Sequence, residues 1–245
     1  MARFFISRDA INGGGATVNG PDAFHIARTL RMAVGDEVTL CDGEGTEYRA
    51  ALTRIRDDEC ALDILSESAS GAESPARITL YMAYPKGDKL ETVVQKAVEL
   101  GAHRIIPFES SRCIKRPAEE KLDKITARLS KIAEEAAKQC GRGVLPTVSR
   151  MIKLKELLTD IPSYDLTILC YEGEGARSLK DILEQGARGA STIAVIIGSE
   201  GGFSREEAES IVEAGAECAN LGPRILRCET APDYCLSAIS YFLEL

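Results

Sequence analysis

The sequence predicts an α/β protein in which a small β-rich domain precedes a larger domain built around a mostly parallel sheet. The first 65 residues contain four short predicted strands separated by turn-forming residues, at positions 3–6, 37–41, 48–55 and 60–65. After residue 77, aliphatic strands alternate with amphipathic helices, which is typical of a parallel sheet covered on both faces. The small, polar, turn-forming stretch 66–76 lies between the two patterns.

The N-terminal pattern includes one predicted helix, at residues 21–32. Phe24, Ala27 and Leu30 recur there at helical spacing, and the pair Gly35-Asp36 ends the element. Together with the four strands, this helix predicts a compact β-rich domain. We place the domain boundary near residue 72, which gives an N-terminal domain of residues 1–70 and a C-terminal domain of residues 71–245.

The C-terminal domain is predicted to contain βαβ units. Its predicted strands are residues 78–83, 104–107, 166–171 and 192–197. Its predicted helices are residues 88–100, 119–139 and 234–243. In the first of these helices, apolar residues fall on one face, as a helix packed against a sheet requires.

Composition restricts the function. The chain has 245 residues, 44% of them hydrophobic and 28% charged, which is ordinary for a globular protein. A net charge of −8 argues against a protein that coats nucleic acid indiscriminately, since that binding depends on neutralising many phosphates. Residues 103–142 nevertheless contain ten Lys or Arg against six acids, an excess of +4. A basic patch and a solvated helix face are both compatible with this charge.

The cysteines and histidines predict no metal site. The eight cysteines are widely spread without any Cys-x-x-Cys pair, and His25 and His103 are the only histidines. No apolar run approaches the roughly 20 residues that a membrane-spanning helix needs, and the first residues lack a secretory pattern. We therefore expect a cytoplasmic protein without a metal or a membrane partner.

The strongest local signal is a buried predicted strand that runs directly into a glycine-rich turn. Residues 193–197 are aliphatic, and Gly198, Gly201 and Gly202 follow. Ligands of open α/β sheets bind at such carboxyl ends of strands. Ser204 and Glu207 then form a capping box, which predicts a helix whose free amides point back toward the turn. The complete P-loop and dinucleotide fingerprints are missing, which disfavours a nucleotide-dependent hydrolase or oxidoreductase.

A second turn, at residues 220–232, carries two arginines, an acid and a hydroxyl before the last predicted helix. Gly222 permits a positive φ there, and Pro223 stiffens the segment that follows. The apolar pair Ile225 and Leu226 could line an adenine slot, although core packing explains the pair equally well.

These two turns resemble the cofactor loops of the knotted SPOUT methyltransferases, specifically the bacterial 16S ribosomal RNA uracil-N3 methyltransferases. The resemblance rests on Gly198-Ser-Glu-Gly-Gly202 and on Leu221-Gly-Pro-Arg-Ile-Leu-Arg-Cys-Glu-Thr-Ala231. Further motifs follow the order of that family over nearly the whole chain, among them segments 86–91, 95–101 and 134–139 and, near the start, His25 with Leu30-Arg31. Two positions depart from the family pattern: Ser199 replaces its usual proline and Cys228 its usual threonine.

The resemblance implies a PUA-like RNA-binding barrel followed by an α/β domain with a deep trefoil knot around its sheet. It implies S-adenosylmethionine as cofactor, a homodimer with sites at the subunit interface, and 16S rRNA of the small ribosomal subunit as substrate. The methylated atom would be N3 of a flipped-out uridine.

The resemblance also assigns roles to residues of this sequence. A cation near the uracil oxygens, Arg227 or Arg142, would stabilise the developing anion, and Glu200 or Glu229 would accept the N3 proton. Structural roles for both glutamates stay open. The residues expected to bind the cofactor are Tyr171, Glu172, Gly198, Glu200, Gly201, Gly202, Leu221, Gly222, Ile225, Leu226, Arg227, Thr230 and Ala231. Those expected to contact RNA are Arg3, His25, Arg28, Arg31, Lys86, Arg112 and Arg142.

Two alternative functions stay open from the sequence. A SPOUT enzyme of this kind could methylate another base or a ribose 2′-oxygen. The chain could also be a non-catalytic protein that binds ribosomal RNA during subunit assembly.

Overall fold

The computed structural model describes residues 1–173 and 175–245, which pack into two compact units. The first unit contains Met1–Glu73 together with Ala137–Leu145, and the second contains Ser74–Ala136 and Pro146–Leu245. A single boundary in the sequence therefore cannot separate the two units, because residues 137–145 belong to the first unit together with the N-terminal part of the chain. Within the described residues, no helix is both long and apolar enough to cross a membrane.

The first unit is built on a six-stranded sheet. Its strands are β1 (Arg3–Phe5), β2 (Ile11–Asn12), β3 (Gly15–Asn19), β4 (Glu37–Cys41), β5 (Thr46–Ile55) and β6 (Glu59–Ala69). They lie in the order β1-β4-β5-β6-β3-β2, with β1 parallel to β4 and the other pairs antiparallel. Phe4, Val38, Leu40, Leu52 and Leu62 are among the buried residues of its core. The predicted β-rich N-terminal domain is confirmed.

Two predictions for this unit were wrong in detail. The predicted linker 66–76 begins inside β6, because Ser66–Ala69 continue the ladder with β5 and pair with residues 46–49. The predicted helix 21–32 is shorter, with α1 (Gly20–Phe24) followed by a π-helical turn at His25–Thr29. Arg31 then takes a φ of +52°, a left-handed conformation that a helix cannot continue through.

The second unit is built on a sheet in which all strand pairs among the described residues are parallel. Its strands are β7 (Arg77–Ala83), β8 (Ala102–Glu109), β9 (Thr147–Val148), β10 (Ile152–Lys153), β11 (Leu166–Cys170), β12 (Arg177–Ser178), β13 (Thr192–Ile197) and β14 (Glu217–Asn220). The order is β10-β8-β7-β13-β11-β14-β12, and β9 pairs with β8. The predicted parallel sheet is confirmed, whereas the trefoil knot stays a prediction.

Helices connect these strands. They are α2 (Lys89–Glu99), α3 (Leu122–Cys140), α4 (Leu154–Asp160), α5 (Leu179–Ile182), α6 (Arg205–Glu213) and α7 (Thr230–Glu244). The helix α2 buries Leu90, Val93, Val94, Ala97 and Val98, the face that the sequence pattern predicted. The short helices α4 and α5 were not predicted, because their few apolar residues do not repeat long enough to give a clear period.

A buried ion pair fastens the returning segment of the first unit. Arg142 is 3% exposed, and its Nη2 and Nε donate to Glu73 Oε2 at 2.7 and 3.1 Å. The backbone N–H groups of Gly143 and Val144 both donate to Glu73 Oε1 at 3.0 Å. The Glu73 carboxylate therefore accepts from four donors of one short segment.

Replacing this carboxylate should destabilise the first unit. Glu73→Ala leaves the buried Arg142 charge without its partner, and breaking a buried pair in this way costs about 3–5 kcal/mol. Urea unfolding followed by circular dichroism measures the loss. The exposed Glu67→Ala is the matched control and should change stability by less than about 0.5 kcal/mol. Equal stabilities for the two variants would contradict the structural role of Glu73.

Candidate functional site

A pocket of about 580 Å³ opens at the carboxyl edge of the parallel sheet in the second unit. Its lining segments each follow the end of a strand: residues 171–172 follow β11, residues 198–205 follow β13 and residues 221–231 follow β14. Because the strands are parallel, these loops emerge at the same edge. The volume falls within the roughly 300–1,000 Å³ of small-molecule sites.

The pocket brings together most of the residues predicted to bind a cofactor. Eleven of the thirteen line it: Tyr171, Glu172, Gly198, Glu200, Gly201, Gly202, Leu221, Ile225, Leu226, Arg227 and Ala231. Gly222 instead borders a smaller neighbouring cavity and takes the expected positive φ, while Thr230 begins α7 outside the lining. Ile225 is 87% exposed, so it lies at the mouth of the pocket and not in an enclosed slot.

Two glycines of the first turn are required by close backbone contacts. A Cβ at Gly198 would lie 3.0 Å from the Cα of Gly202, and a Cβ at Gly201 would lie 3.0 Å from Cβ and 3.1 Å from the backbone oxygen of Arg112. Distances this short are tighter than nearly all real Cβ contacts, so a side chain at either position would displace the neighbouring backbone by a few tenths of an ångström. Glycine at both positions lets the turn fold back on itself and against Arg112 without that displacement.

The predicted capping box after this turn is confirmed. The N–H of Glu207 donates to Ser204 Oγ at 3.2 Å, and the N–H of Ser204 donates to Glu207 Oε2 at 3.0 Å. Beneath the turn, the ring of Phe203 stacks on Phe108 and meets Tyr171 edge to face. The cap and the aromatic cluster fix the C-terminal end of the glycine turn.

An ion cluster joins the two predicted cofactor loops. Lys89 Nζ lies 3.0 Å from Glu200 Oε1 and 3.1 Å from Glu229 Oε2. Glu200 also accepts from the backbone N–H of Lys86 at 3.1 Å, and Cys228 Sγ lies 3.2 Å from Glu229 Oε2. One cation at the start of α2 thus contacts a carboxylate from each loop.

This cluster sets the protonation states of its members. Burial alone would raise the pKa of Glu200, but hydrogen bonds from its own backbone, Lys89 and Lys86 outweigh burial and lower it. The pKa of Glu229 is lowered in the same way by its own backbone, Cys228 and Lys89. Hydrogen bonds to the two carboxylates raise the pKa of Lys89 to about 12, and burial with the bond to Glu229 raises that of the Cys228 thiol to about 12. At neutral pH both carboxylates are therefore ionised, Lys89 is charged and Cys228 is a neutral thiol.

The remaining cations that line the pocket differ in their partners. Arg112 Nη1 donates to the backbone oxygen of Gly201 at 3.1 Å, and Arg205 pairs with Glu209 at 2.7 Å. For the guanidinium of Arg227, no partner is found in the described part of the chain, although its backbone oxygen accepts from Thr230. Arg227 is therefore available to an anionic group in the pocket.

The structure does not bring Arg142 to this pocket. Arg142 belongs to the first unit, where Glu73 binds its guanidinium as described above. Its burial and its fixed partner explain the residue structurally, which the sequence did not reveal. Of the two residues predicted for the role of a cation beside the substrate, Arg227 lines this pocket.

The other residues predicted to contact RNA have varied surroundings. In the first unit, Arg3 pairs with Glu47 at 2.8 Å and Arg28 forms two bonds with Asp57. His25 meets the ring of Phe4 edge to face, and Arg31 is exposed. In the second unit, Arg112 lines the pocket.

Sequence reasoning missed Lys89, which touches both predicted catalytic glutamates. A signal existed, because Lys89 follows β7, and β7 pairs directly with β13 in parallel register up to Met82 and Ile197. Neighbouring parallel strands end at the same edge, so residues after β7 had to lie beside the glycine turn. The pocket also includes Arg205, Phe203 and the thiols of Cys170 and Cys228, which were not predicted as site residues.

Two family models and a curated relative match this chain. A family model described as an RNA methyltransferase domain matches residues 72–240, and one described as an RNA methyltransferase PUA domain matches residues 18–65. The chain is 34% identical to ribosomal RNA small subunit methyltransferase E of Bacillus subtilis, over 94% of this chain and 91% of that protein.

Two solved structures resemble the whole chain. The ribosomal RNA small subunit methyltransferase E of Neisseria gonorrhoeae, bound to S-adenosylmethionine, is 33% identical with a TM-score of 0.86 and covers 98% of this chain and 97% of its own. A proposed methyltransferase of Legionella pneumophila, in complex with the same cofactor, is 29% identical with a TM-score of 0.86 at the same coverage.

Removing the cation of the ion cluster should raise the pKa of both its glutamates. In Lys89→Met, Glu200 and Glu229 lose an attractive charge, so their protonated forms become more favourable. Carbon-13 NMR titration of the glutamate carboxyls measures both values. Lys89→Arg is the matched control and should keep them low. Identical titrations in the wild type and Lys89→Met would show that backbone hydrogen bonds alone lower these values.

Proposed function

The chain belongs to the RNA methyltransferase family, and from this premise we propose that it transfers a methyl group from S-adenosylmethionine to N3 of a uridine in 16S ribosomal RNA. The observation that carries the proposal is a pocket wall that both glycine-containing loops form together, lined by carboxylates and by Arg227, whose guanidinium has no partner among the described residues. The substrate is the small ribosomal subunit, and the reaction takes place in the cytoplasm. By their names, the relatives from Bacillus subtilis and Neisseria gonorrhoeae described above are methyltransferases of small-subunit ribosomal RNA.

The residues of the pocket fit the cofactor. Gly198 and Gly201 let the turn pack closely against Gly202 and Arg112, and both glycines line the pocket, so the turn offers its backbone and no side chain to an adenosyl group at these positions. We assign the adenosine to the backbone of the two loops and to Leu226, with Ile225 covering it at the mouth. S-adenosylmethionine supplies an electrophilic methyl group on its sulfonium.

The charged residues of the pocket then deprotonate the uridine and stabilise its negative charge. N3 of a neutral uracil carries a proton, and the ring must lose it before N3 can attack. Arg227 would face the uracil oxygens and stabilise the negative charge that develops. Glu200 or Glu229, both ionised, would accept the proton directly or through water. Orienting the two partners supplies much of the acceleration.

Both units would contact the ribosomal RNA. We assign Lys86 and Arg112 to phosphates near the pocket, and Arg3, His25, Arg28 and Arg31 to RNA contacts of the first unit. Among these residues of the first unit, the assignment of Arg31 is the best supported. Arg31 is exposed, and its φ of +52° fixes the direction in which its side chain leaves the backbone. The chain is acidic overall and has only a few cations assigned to RNA contacts. Such a protein is suited to an RNA that is recognised by its folded, assembled shape, and the small ribosomal subunit is a target of this kind.

Labelled methyl transfer tests the proposal. Small subunits from a strain that lacks this protein are incubated with labelled S-adenosylmethionine, and the modified nucleotide is identified by digestion and mass spectrometry. We expect 3-methyluridine at one site of 16S RNA. A labelled 2′-oxygen or another base would establish the alternative SPOUT activity. Cofactor binding and label both absent would indicate a non-catalytic assembly protein.

One substitution should disrupt the cofactor loop and leave the rest of the fold intact. In Gly201→Val, the side chain would meet the backbone of Arg112, so the turn must move and the cofactor cradle is lost. We expect calorimetry to find at least 100-fold weaker binding of S-adenosylmethionine, together with loss of methyl transfer. Gly71→Val is the matched control, at a bend with no atom within 4 Å of an added Cβ and without a positive φ, and it should bind normally. Normal binding by Gly201→Val would place the cofactor elsewhere.

We also propose that the protein is a homodimer that uses the exposed face of α7. Tyr234 and Tyr241 are 45% and 72% exposed and lie seven residues apart, hence on one face of the helix. Exposed tyrosines of this kind are enriched in protein interfaces. The same helix begins directly after the second cofactor loop, so a partner seated on α7 would lie near the pocket mouth.

A charge on this face should separate the subunits. Tyr241→Glu places a carboxylate in the apolar interface, where burying it without a partner is unfavourable. Size-exclusion chromatography with light scattering should find a monomer of about 26.5 kDa, while Tyr241→Phe stays dimeric. A dimeric Tyr241→Glu would exclude this face of α7 from the interface.

A further inference from the structure

The loop that follows β8 is fastened to the glycine turn by several hydrogen bonds. We call residues 110–116 the β8 loop. The N–H of Ser111 donates to Glu207 Oε1 at 2.6 Å, and Ser199 Oγ donates to the backbone oxygen of Arg112 at 3.2 Å. Arg112 Nη1 donates back to Gly201 at 3.1 Å. The β8 loop is therefore part of the pocket wall and is held in one position.

Internal contacts fix the rest of the β8 loop. Cys113 is buried in the same core cluster as Phe108 and Phe203, and its Sγ lies 3.3 Å from Ser110 Oγ. Arg116 pairs with Glu109 at 3.1 Å and donates to the backbone oxygen of Ser111 at 3.2 Å. Because Cys113 points into the core, the residues on either side of it face outward.

The outward-facing residues of the β8 loop are one isoleucine and the cations beside it. Ile114 is 69% exposed, with Arg112 and Lys115 beside it. Arg112 lines the pocket, and two residues span at most about 7 Å of chain, so the backbone of Ile114 lies within about 7 Å of a residue of the pocket wall. A rigid loop that presents an apolar side chain between positive charges matches the way proteins insert apolar side chains between nucleic-acid bases.

We infer that the β8 loop contacts the RNA beside the target nucleotide, with Ile114 packing against the base that the flipped uridine leaves unstacked. Lys115 then binds a neighbouring phosphate, and Arg116 braces the loop. This inference rests on the proposed function, since it names how the same site holds its substrate. Taking a base out of its stack costs a few kcal/mol, and an apolar side chain in the vacated place offsets part of that cost.

Methyl transfer with variants of the exposed side chain tests the inference. Ile114→Ala should lower kcat/KM on small subunits at least ten-fold, while Ile114→Met, which keeps the apolar bulk, stays within three-fold of the wild type. Val212→Ala changes an equally apolar, exposed residue on α6 and should have no effect. Calorimetry should find unchanged binding of S-adenosylmethionine in all three. Wild-type kcat/KM in Ile114→Ala would overturn the inference.

Photo-crosslinking locates the contact directly. Ile114 is replaced by p-benzoylphenylalanine, the protein is bound to unmethylated small subunits and irradiated, and the crosslinked nucleotide is mapped. A crosslink next to the methylated uridine supports the inference, whereas crosslinks only elsewhere, or none, overturn it. The same amino acid at position 212 should not crosslink there. Absence of methyl transfer by the wild type would overturn the proposed function instead, so the two failures are distinguishable.

Discussion

Parallel pairing of the central strands is the constraint on which the site depends. The strand β13 pairs in parallel with β7 on one side over its whole length and with β11 on the other from Ile193 to Ile197. All three strands therefore end at one edge, and the segments that follow them cannot avoid each other. The glycines of the first turn let these segments approach to backbone contact. The direction of the strands thus determines which loops meet at the site, and the side chains of those loops adjust its details.

The ion cluster of Lys89, Glu200 and Glu229 serves geometry more than stability. Its three side chains are each about a quarter to a third exposed, and ion pairs at that exposure contribute little to folding. What the cluster does is connect a helix start to two loops that lie more than 25 residues apart in sequence. A lysine that contacts two carboxylates leaves one negative charge on the cluster, beside the guanidinium of Arg227 in the same pocket wall.

The parts of this molecule that the sequence predicted are those governed by local patterns. The aliphatic strands, the apolar face of α2, the capping box at Ser204 and the positive φ of Gly222 follow from neighbours in the chain. The length of β6 and the role of Lys89 depend on residues brought together by pairing, so periodicity carried no information about them. Arg142 resembled a site residue because a buried cation and a catalytic one look alike until Glu73 is placed beside it.

The return of residues 137–145 to the first unit has a consequence for dissecting the protein. Because the Glu73 carboxylate takes its four donors from that segment, a gene fragment that stops after residue 73 would encode an incomplete domain with a bare acidic side chain. Expressing residues 1–73 alone is therefore a poor strategy. A protease nick between the two stretches would, conversely, leave both pieces associated without a covalent link.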